Sequence, residues 1–355
     1  MSNIEYAKGG SLYITSEIRK AIKNEMRTAT ISGAWEIEEA VRLPSDFTLV
    51  LENARLRLAD GCFSNIFVNE HCGTDVGKTI EGTDRNIKII GRGEAILDGG
   101  EYNGLSEKTQ LKNGLPPIWN NNHVLFTNVD GFEVSGISCR NQRWWALNFI
   151  YCRNGYLGNL DFCSDDTGID SNGNKYHGLK RGAYSEVVVK NSDGIDIRQG
   201  CHDILIENIT GFTEDDTVAL TSLNGALEKN FAVSGLPSDI ANVTIKNVKA
   251  AAYCSIIRML NQGGLKLHDI TVDGVFDTCH ESPHLDIGAY AVRIGDTHLY
   301  GERYATEDET YNISVNNVHG SGLYVISLSG AVKNLVLENL EAMNDAKLLL
   351  DERIK

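Results

Sequence analysis

The stretches "DILIENI" (203–209) and "NVTIKNV" (242–248) share one pattern, in which apolar residues alternate with polar ones beside an Asn, Gly or Asp. Alternation with a period of two predicts a β-strand with one buried face. The same pattern recurs in six further segments, which begin at residues 86, 131, 155, 264, 312 and 334. The chain is therefore built on a repeated strand-and-turn unit with no helix between its copies.

The spacing of these copies predicts a solenoid. Most steps between successive copies are one or two multiples of 22 to 24 residues, and a fixed period in this range indicates units that bury their apolar faces by stacking. We expect an all-β fold, a parallel β-helix, that forms a single domain over residues 1–355. The first apolar residues of the copies are Ile87, Phe132, Tyr156, Ile204, Val243, Leu265, Ile313 and Leu335, with steps of 45, 24, 48, 39, 22, 48 and 22 residues.

The two ends are expected to close this core. A helical pattern from Thr15, "TSEIRKAIKNEM", predicts a short capping helix within an N-terminal cap of about residues 1–30. The coils are expected over about 31–340, and about 341–355 would form a C-terminal cap. Polar insertions at roughly 101–122, 165–185 and 278–310 interrupt the period, and such loops on a solenoid often wall a binding site.

Composition narrows the classes of partner. A net charge of −15 disfavours nucleic acid and anionic membranes, because phosphate contacts need clustered Lys and Arg. No stretch approaches the 18 apolar residues of a membrane span, and residues 1–24 lack the apolar core of a signal peptide, so we expect a cytoplasmic protein. The eight cysteines show no CxxC spacing and are interpreted as small buried residues or inert thiols of a reducing compartment.

Three acids stand where one coil would bring them together. Asp193 precedes Asp215 by 22 residues, about one coil, so the two should lie on adjacent rungs with Asp216 beside them. Close carboxyls push their proton affinities apart, and glycoside hydrolysis needs one protonated and one ionised carboxyl. The alternative is a solvated turn, since a regular strand would point Asp215 and Asp216 to opposite faces.

At these residues the sequence resembles glycoside hydrolase family 28, the polygalacturonase family of right-handed parallel β-helix enzymes. The resemblance is carried by "GRGEAILDGG" (91–100), residues 140–162, "NSDGIDIRQGCHDILIENITGFTEDDTVALTS" (191–222) and, more weakly, "SIIRMLNQGG" (255–264). It implies that Asp215 is the general acid and that Asp193 and Asp216 activate water in an inverting reaction. It also implies that Arg258 binds the substrate.

The sequence departs from the family at three positions. No histidine occurs at 225–240, where the family has a Gly-His-Gly segment, and Leu260 stands where the family has a lysine two residues after its arginine. Asn148 occupies a position where family members often have histidine. These changes indicate another sugar, a differently bound uronide or an inactive site.

Other residues are candidates for the same cleft. Trp145, next to Trp144, is either a stacking platform for a sugar ring or a buried core residue, and Arg198 either binds substrate or forms an ion pair. "HESPH" (280–284) matches a zinc-protease pattern, but Pro283 opposes the helix that the pattern needs. His280 or His284 could instead replace the missing family histidine. The acids of "DDTGIDSNGN", Asp165, Asp166 and Asp170, are decoy or auxiliary acids.

The sequence therefore predicts an inverting, exo-acting glycoside hydrolase for short pectin-derived or related plant oligosaccharides. We expect no cofactor and no metal, and the oligomeric state stays open. One alternative is a catalytically inactive carbohydrate-binding β-helix. Another is a polysaccharide lyase on the same fold, which would release an unsaturated product and commonly need calcium.

Overall fold

Two long parallel sheets form the body of the protein, and the chain alternates between them. The computed structural model describes residues 4–100, 120–142, 145–164, 166–169, 174–181, 192–223, 226–262, 264–296 and 303–353. Within these residues the first sheet has eleven strands and the second has ten. Each coil of the chain contributes a longer strand to the first sheet and a shorter strand to the second, which is the architecture of a right-handed parallel β-helix and confirms the predicted fold class.

The first sheet consists of β1 (Thr28–Ile37), β3 (Phe47–Leu58), β5 (Asp84–Asp98), β7 (Val129–Ser135), β8 (Ser138–Arg140), β10 (Arg153–Cys163), β14 (His202–Thr213), β16 (Ile240–Ala252), β18 (Leu267–Asp277), β20 (Thr310–Gly320) and β22 (Lys333–Ala342). The second sheet consists of β2 (Val41–Leu43), β4 (Phe67–Asn69), β6 (Val124–Thr127), β9 (Leu147–Ile150), β13 (Ile195–Arg198), β15 (Val218–Ser222), β17 (Ser255–Asn261), β19 (Tyr290–Ile294), β21 (Tyr324–Gly330) and β23 (Lys347–Arg353). A small antiparallel hairpin, β11 (Thr167–Ile169) and β12 (Lys175–His177), and two 3₁₀ turns, Val76–Lys78 and Cys279–Glu281, lie outside the sheets.

The inward side chains of both sheets form one continuous apolar core. Ile204 and Ile206 of β14 are buried on one side of this core, and Ile195 and Val218 are buried on the other. Because side chains alternate along a strand, the residues between them point outward. The outward face of the second sheet is therefore free to carry a functional site.

The repeat also contains an Asn or Asp beside its alternating residues, and these residues lie at the corners of the coils. Each has a positive φ near +55°, a conformation that Asn and Asp tolerate better than other side chains. Their side chains bond to the equivalent residue of the next coil, which fixes the stacking of the coils. The bonds include Asn242 to Asp203, Asn247 to Asn208, Asn312 to Asp269 and Asn334 to Asn312.

The long steps in the repeat are single coils with large insertions. Strand β5 pairs directly with β7, β10 with β14, and β18 with β20. A step of 45 or 48 residues therefore spans one coil, and no additional strand of the first sheet lies within it. The extra residues lie in the connections to the second sheet.

Two copies of the repeat stand in a different register from the one read in the sequence. Gly155, not Tyr156, pairs with both Phe132 and Ile204. A Cβ at Gly155 would lie 2.1 Å from the Phe132 ring, so the space for this ring excludes a side chain there. In the later copy Leu265 precedes β18, and Ile270 is the residue that pairs with Val243.

A helix covers the N-terminal end of the core, as predicted. The helix α1 spans Gly10–Lys23, so it begins five residues before Thr15, and its buried residues Ile14, Ile18 and Ala21 close the first coil. At the other end the chain forms a last coil instead of a separate cap, because β23 pairs in parallel with β21. In the described part of the chain, no helix is long and apolar enough to cross a bilayer.

Candidate active site

Asp193, Asp215 and Asp216 lie together just before strands β13 and β15 of the second sheet. One carboxylate oxygen from each lies within 4.8 Å of those of the other two. Parallel backbone bonds hold the two coils in register, since Gly194 N–H donates to the Asp216 carbonyl at 2.9 Å. The backbone N–H of Asp216 also donates to Asp193 Oδ1 at 2.9 Å. The predicted juxtaposition of the three acids is therefore present.

The bend between the two sheets allows neighbouring acids to reach one site. Strand β14 ends at Thr213 and β15 begins at Val218, so Asp215 and Asp216 lie between strands and do not alternate as they would within one. The side chain of Asp193 is 5 % exposed, and Asp215 and Asp216 are partly exposed. The three carboxyls thus stand in a largely dry site that keeps an opening to solvent.

A fourth acid, Asp196, belongs to this cluster and was missed as a site residue in the sequence. It is fully buried on β13, and Arg198 Nη2 donates to its Oδ1 at 3.0 Å. Burial raises the pKa of Asp196 to about 7, while Arg198 acts in the opposite direction. The segment "SDGIDI" offered the signal, because Asp196 is the next outward residue of the strand that follows Asp193.

The environments of Asp215 and Asp216 differ in a way that separates their proton affinities. Burial and the neighbouring Asp216 raise the pKa of Asp215 well above its usual range. Burial also raises the pKa of Asp216, but the guanidinium groups of Arg258 and Arg293 act against this rise. Asp215 therefore favours the protonated form, and Asp216 is the acid most favoured to carry the charge.

The proton affinities of the other groups follow the same physics. The pKa of Asp193 is raised well above its usual range by burial and then by the charges of Asp196, Asp215 and Asp216. The thiol of Cys254 bonds to Asp215, and burial raises the pKa of this thiol well above its usual value. Cys254 is a neutral neighbour of Asp215 that the sequence did not indicate.

A row of outward residues on the second sheet links the acids to two arginines. In register across the strands lie Asn148, Asp196, Ala219, Arg258 and Arg293. Arg258 is buried and donates to the carbonyl oxygens of Met259 and Gly295. Arg293, partly exposed, stands on the next rung over the ring of Tyr290, 5.2 Å from its centroid. Arg293 is the cation that the sequence missed; it follows Arg258 by one rung but 35 positions in the chain.

Asn148 is fully buried in this row, beside Asp196. Neither its amide oxygen nor its amide nitrogen has a hydrogen-bond partner among the described residues. Buried amides are normally paired, and exceptions are common at sites that bind a polar ligand or water. The predicted proximity of Asn148 to the acids is consistent with this position.

Of the two roles weighed for Trp145 and for Arg198, the structure shows the buried indole and the ion-paired guanidinium. Trp145 is only 5 % exposed, and the Arg198 guanidinium lies 3.7 Å from its ring centroid. Arg198 is buried too and forms ion pairs with Asp196 and with Glu228 of the short helix α2 (Ala226–Phe231). A sugar cannot stack on this covered indole face, and it is Arg198 that holds the Asp196 carboxylate.

The "HESPH" segment makes its contacts with residues other than the three acids. His280 is exposed on the 3₁₀ turn Cys279–Glu281, which is too short to place both histidines on one helical face. His284 contacts Asp166, Cys163 and Phe212. In the parts of the chain described, neither histidine bonds to the three acids, so neither replaces the missing family histidine. Trp144, Asp165 and Asp170 lie outside the described residues.

The three acids are also the one group of potential metal ligands that the described residues bring within 4.8 Å of one another. Hard divalent cations such as Ca²⁺ bind carboxylate oxygens of this kind. The same site can therefore either share protons among its carboxyls or hold a cation, and the two states exclude each other.

Solved structures with the same fold include several carbohydrate-active proteins. An endo-xylogalacturonan hydrolase from Aspergillus tubingensis is 14% identical, with 98% of this chain and 94% of that chain covered and a TM-score of 0.56. An iota-carrageenase from A. fortis is 11% identical over 98% of this chain and 88% of that one, with a TM-score of 0.64. A tailspike protein of E. coli bacteriophage HK620, in complex with a pentasaccharide, is 16% identical over 99% and 62%, with a TM-score of 0.58.

At these identities the similarity shows the fold alone. No protein-family model matches the sequence, and no curated protein matches it. The chain thus has the parallel β-helix fold that is found in glycoside hydrolases of very different sequence.

Proposed function

We propose that the protein is a glycoside hydrolase that cleaves short plant-type oligosaccharides. The observation that carries this proposal is the meeting of Asp193, Asp215 and Asp216 within 4.8 Å, in a buried site beside two arginines. Carboxyls in unequal electrostatic environments can hold the proton and the charge that glycosidic cleavage needs at the same time. The fold shared with carbohydrate-active proteins supports a sugar substrate.

In this proposal Asp215 is the general acid. Its raised pKa keeps a proton available near neutral pH, and this proton passes to the glycosidic oxygen of the leaving group. Asp216, whose charged form Arg258 and Arg293 favour, remains ionised and removes a proton from the attacking water. Asp193 bonds to the backbone of Asp216 and helps to position that water.

The arginines favour an acidic sugar. The lysine of the related motif is replaced by Leu260, but Arg293 supplies a second cation on the neighbouring rung. Arg258 and Arg293 together could bind a carboxylate of a uronide, and Tyr290 beside Arg293 offers an aromatic ring. The loss of the lysine therefore does not leave the cleft without a second positive charge.

We further propose inversion at the anomeric carbon and action at chain ends, as the family resemblance and the long insertions imply. Inverting enzymes usually separate their carboxyls by about 6.5 to 9.5 Å to admit water, and retaining enzymes by about 5 to 5.5 Å. One oxygen from each of the three acids lies within 4.8 Å of those of the other two, and the anomer formed first decides between the two mechanisms. NMR of the first-formed anomer tests the proposal. A retained configuration would mean that Asp216 acts as the nucleophile and not as the base.

The test of the function itself is a screen of intact pectic and other plant oligosaccharides with wild-type protein, Asp215→Asn and Asp216→Asn. Each variant should lose at least about 100-fold in kcat if its carboxyl transfers a proton. The matched control is Asp203→Asn. Asp203 lies at a corner of its coil, and the equivalent corner residue of the next coil is already an asparagine, Asn242. A wild-type protein that hydrolyses none of these sugars, or an Asp215→Asn variant as active as the control, would overturn the proposal.

The second candidate is a polysaccharide lyase, which the calcium-binding capacity of the same three carboxylates favours. A lyase would form an unsaturated product with near-ultraviolet absorbance and would stop when the metal is chelated. A pure binder, in contrast, would bind oligosaccharide equally well as wild type and as Asp215→Asn and would cleave none. These readouts separate the three functions in one series.

A further inference from the structure

A cleft of about 590 Å³ lies on the outward face of the first sheet. Its floor is the row formed in register by Arg140, Cys163, Phe212 and Ala251. The segment 278–284, which includes the 3₁₀ turn, forms its wall. None of Asp193, Asp215 and Asp216 lines this cleft.

Cys163 and His284 line this cleft, and Asp166 contacts His284, so that a thiol, an imidazole and a carboxylate are aligned. Asp166 Oδ2 lies 3.0 Å from His284 Nδ1, and His284 Nε2 lies 3.7 Å from Cys163 Sγ. The imidazole stacks on Phe212, with ring centroids 4.7 Å apart and an angle of 18° between planes. The stacking and the carboxylate together fix the ring with one nitrogen toward the sulfur. This is the arrangement in which a base activates a nucleophile and a third group orients the base.

Cys163 differs from the other cysteines in its surroundings. It is partly exposed and opens into the cleft, and its sulfur contacts a basic ring nitrogen. Burial raises the pKa of six others and keeps them as neutral thiols; they are Cys62, Cys72, Cys139, Cys152, Cys254 and Cys279. Reactive cysteines are typically partly exposed and next to a cation or a base.

We propose that Cys163 is a reactive thiol activated by His284 and oriented through Asp166, and that the cleft is a modification site for small soft electrophiles. In the reaction the thiol proton moves to His284 Nε2. The sulfur then forms a bond to the electrophilic carbon, and the leaving group departs with its electron pair. With iodoacetamide the products are a thioether and iodide.

The other charges that face the cleft balance one another. Arg140 pairs with Asp161 at 2.6 Å, so this pair adds little net charge beside the sulfur. His177 approaches Asp166 at 3.8 Å from the hairpin and competes weakly with His284 for its carboxylate. Lys249 of β16 and Glu281 of the 3₁₀ turn have opposite charges at the rim. His284 is therefore the group beside the sulfur whose charge, after it accepts the thiol proton, favours the thiolate.

The test is alkylation of the folded protein by iodoacetamide between pH 5.5 and 9, with each cysteine followed by peptide mass spectrometry. Cys62 is the internal control, since it is also partly exposed but contacts no imidazole among the described residues, and burial raises its pKa. At pH 7 an ordinary thiol is only a few per cent thiolate, so Cys163 should react at least about tenfold faster than Cys62. Its rate should also depend less on pH.

Two variants separate activation from exposure. His284→Gln removes the base and should slow Cys163 at pH 7 by about tenfold or more, while at pH 9 the difference should nearly vanish. Asp166→Asn keeps the imidazole and its stacking, and should produce a smaller loss. A wild-type Cys163 that reacts no faster than Cys62, or a His284→Gln variant with an unchanged pH profile, would overturn the inference. The wild-type profile needs no variant to fold, and alkylation is read independently of any hydrolase activity.

Discussion

Arg293 provides the sharpest test of how the fold controls the candidate site. Two rungs separate β15, which follows Asp216, from β19, which carries Arg293. At about 4.8 Å a rung, two rungs separate the charges by roughly 9.6 Å. With an effective dielectric constant of about 20 the attraction is about 1.7 kcal/mol. Arg293 is partly exposed, so screening by solvent reduces this to about 0.9 kcal/mol, or about 0.7 pKa unit.

The perturbation is Arg293→Met, which keeps an unbranched side chain but removes the charge. Arg293 opposes the rise in the pKa of Asp216, so its loss lets that pKa rise further. If Asp216 must be ionised to act as the base, the acidic limb of the kcat/KM profile should move to higher pH by about 0.7 unit. Activity should therefore fall more at pH 5 than at pH 7.

The assay is the pH dependence of kcat/KM on an oligosaccharide that the wild-type protein cleaves, with Arg258→Met as the comparison. Arg258 is one rung nearer and is the larger of the two influences on Asp216, so its loss should shift the limb further. The reasoning is refuted if the Arg293→Met profile superimposes on that of wild type, or if its acidic limb moves to lower pH.

Three further outcomes follow from the packing and the charges. Arg198→Met leaves Asp196 and Glu228 buried without their cation, so urea unfolding should show a loss of about 3 to 5 kcal/mol. The loss should shrink from pH 8 to pH 5, because Asp196, with a pKa of about 7, takes up a proton over that range; an equal loss at both pH values would contradict this. Gly155→Ala should lower the free energy of unfolding by about 1 to 3 kcal/mol, since the new Cβ would lie 2.1 Å from the Phe132 ring; an unchanged midpoint would show that the ring can move. EDTA should leave hydrolysis unchanged, and a complete loss that Ca²⁺ restores would favour the lyase.

The architecture was largely predictable because its causes are local in the sequence. Alternating apolar residues make strands with one buried face, and Asn or Asp at the corners adopts the positive φ that turns the chain. The spacing of Asp193 and Asp215 predicted their meeting, because no insertion lies between them and one coil separates them. In this part of the chain distance along the sequence and distance in space agree.

The rest of the candidate site depended on how the coils stack. Insertions make the length of the coils uneven, so backbone bonds between strands decide which residues are neighbours. These bonds place Arg293 beside Arg258, which is 35 positions away in the chain, and they pair Gly155 with Phe132. Burial is likewise a property of the assembled coils: Arg198 covers Trp145, for which the sequence allowed either a sugar platform or a core position. The sequence by itself determined the strands, the corners and one pair of neighbouring acids. Tertiary structure alone decided which charges surround those acids, because electrostatic energy depends on distance and solvent access, and neither can be read from chain position.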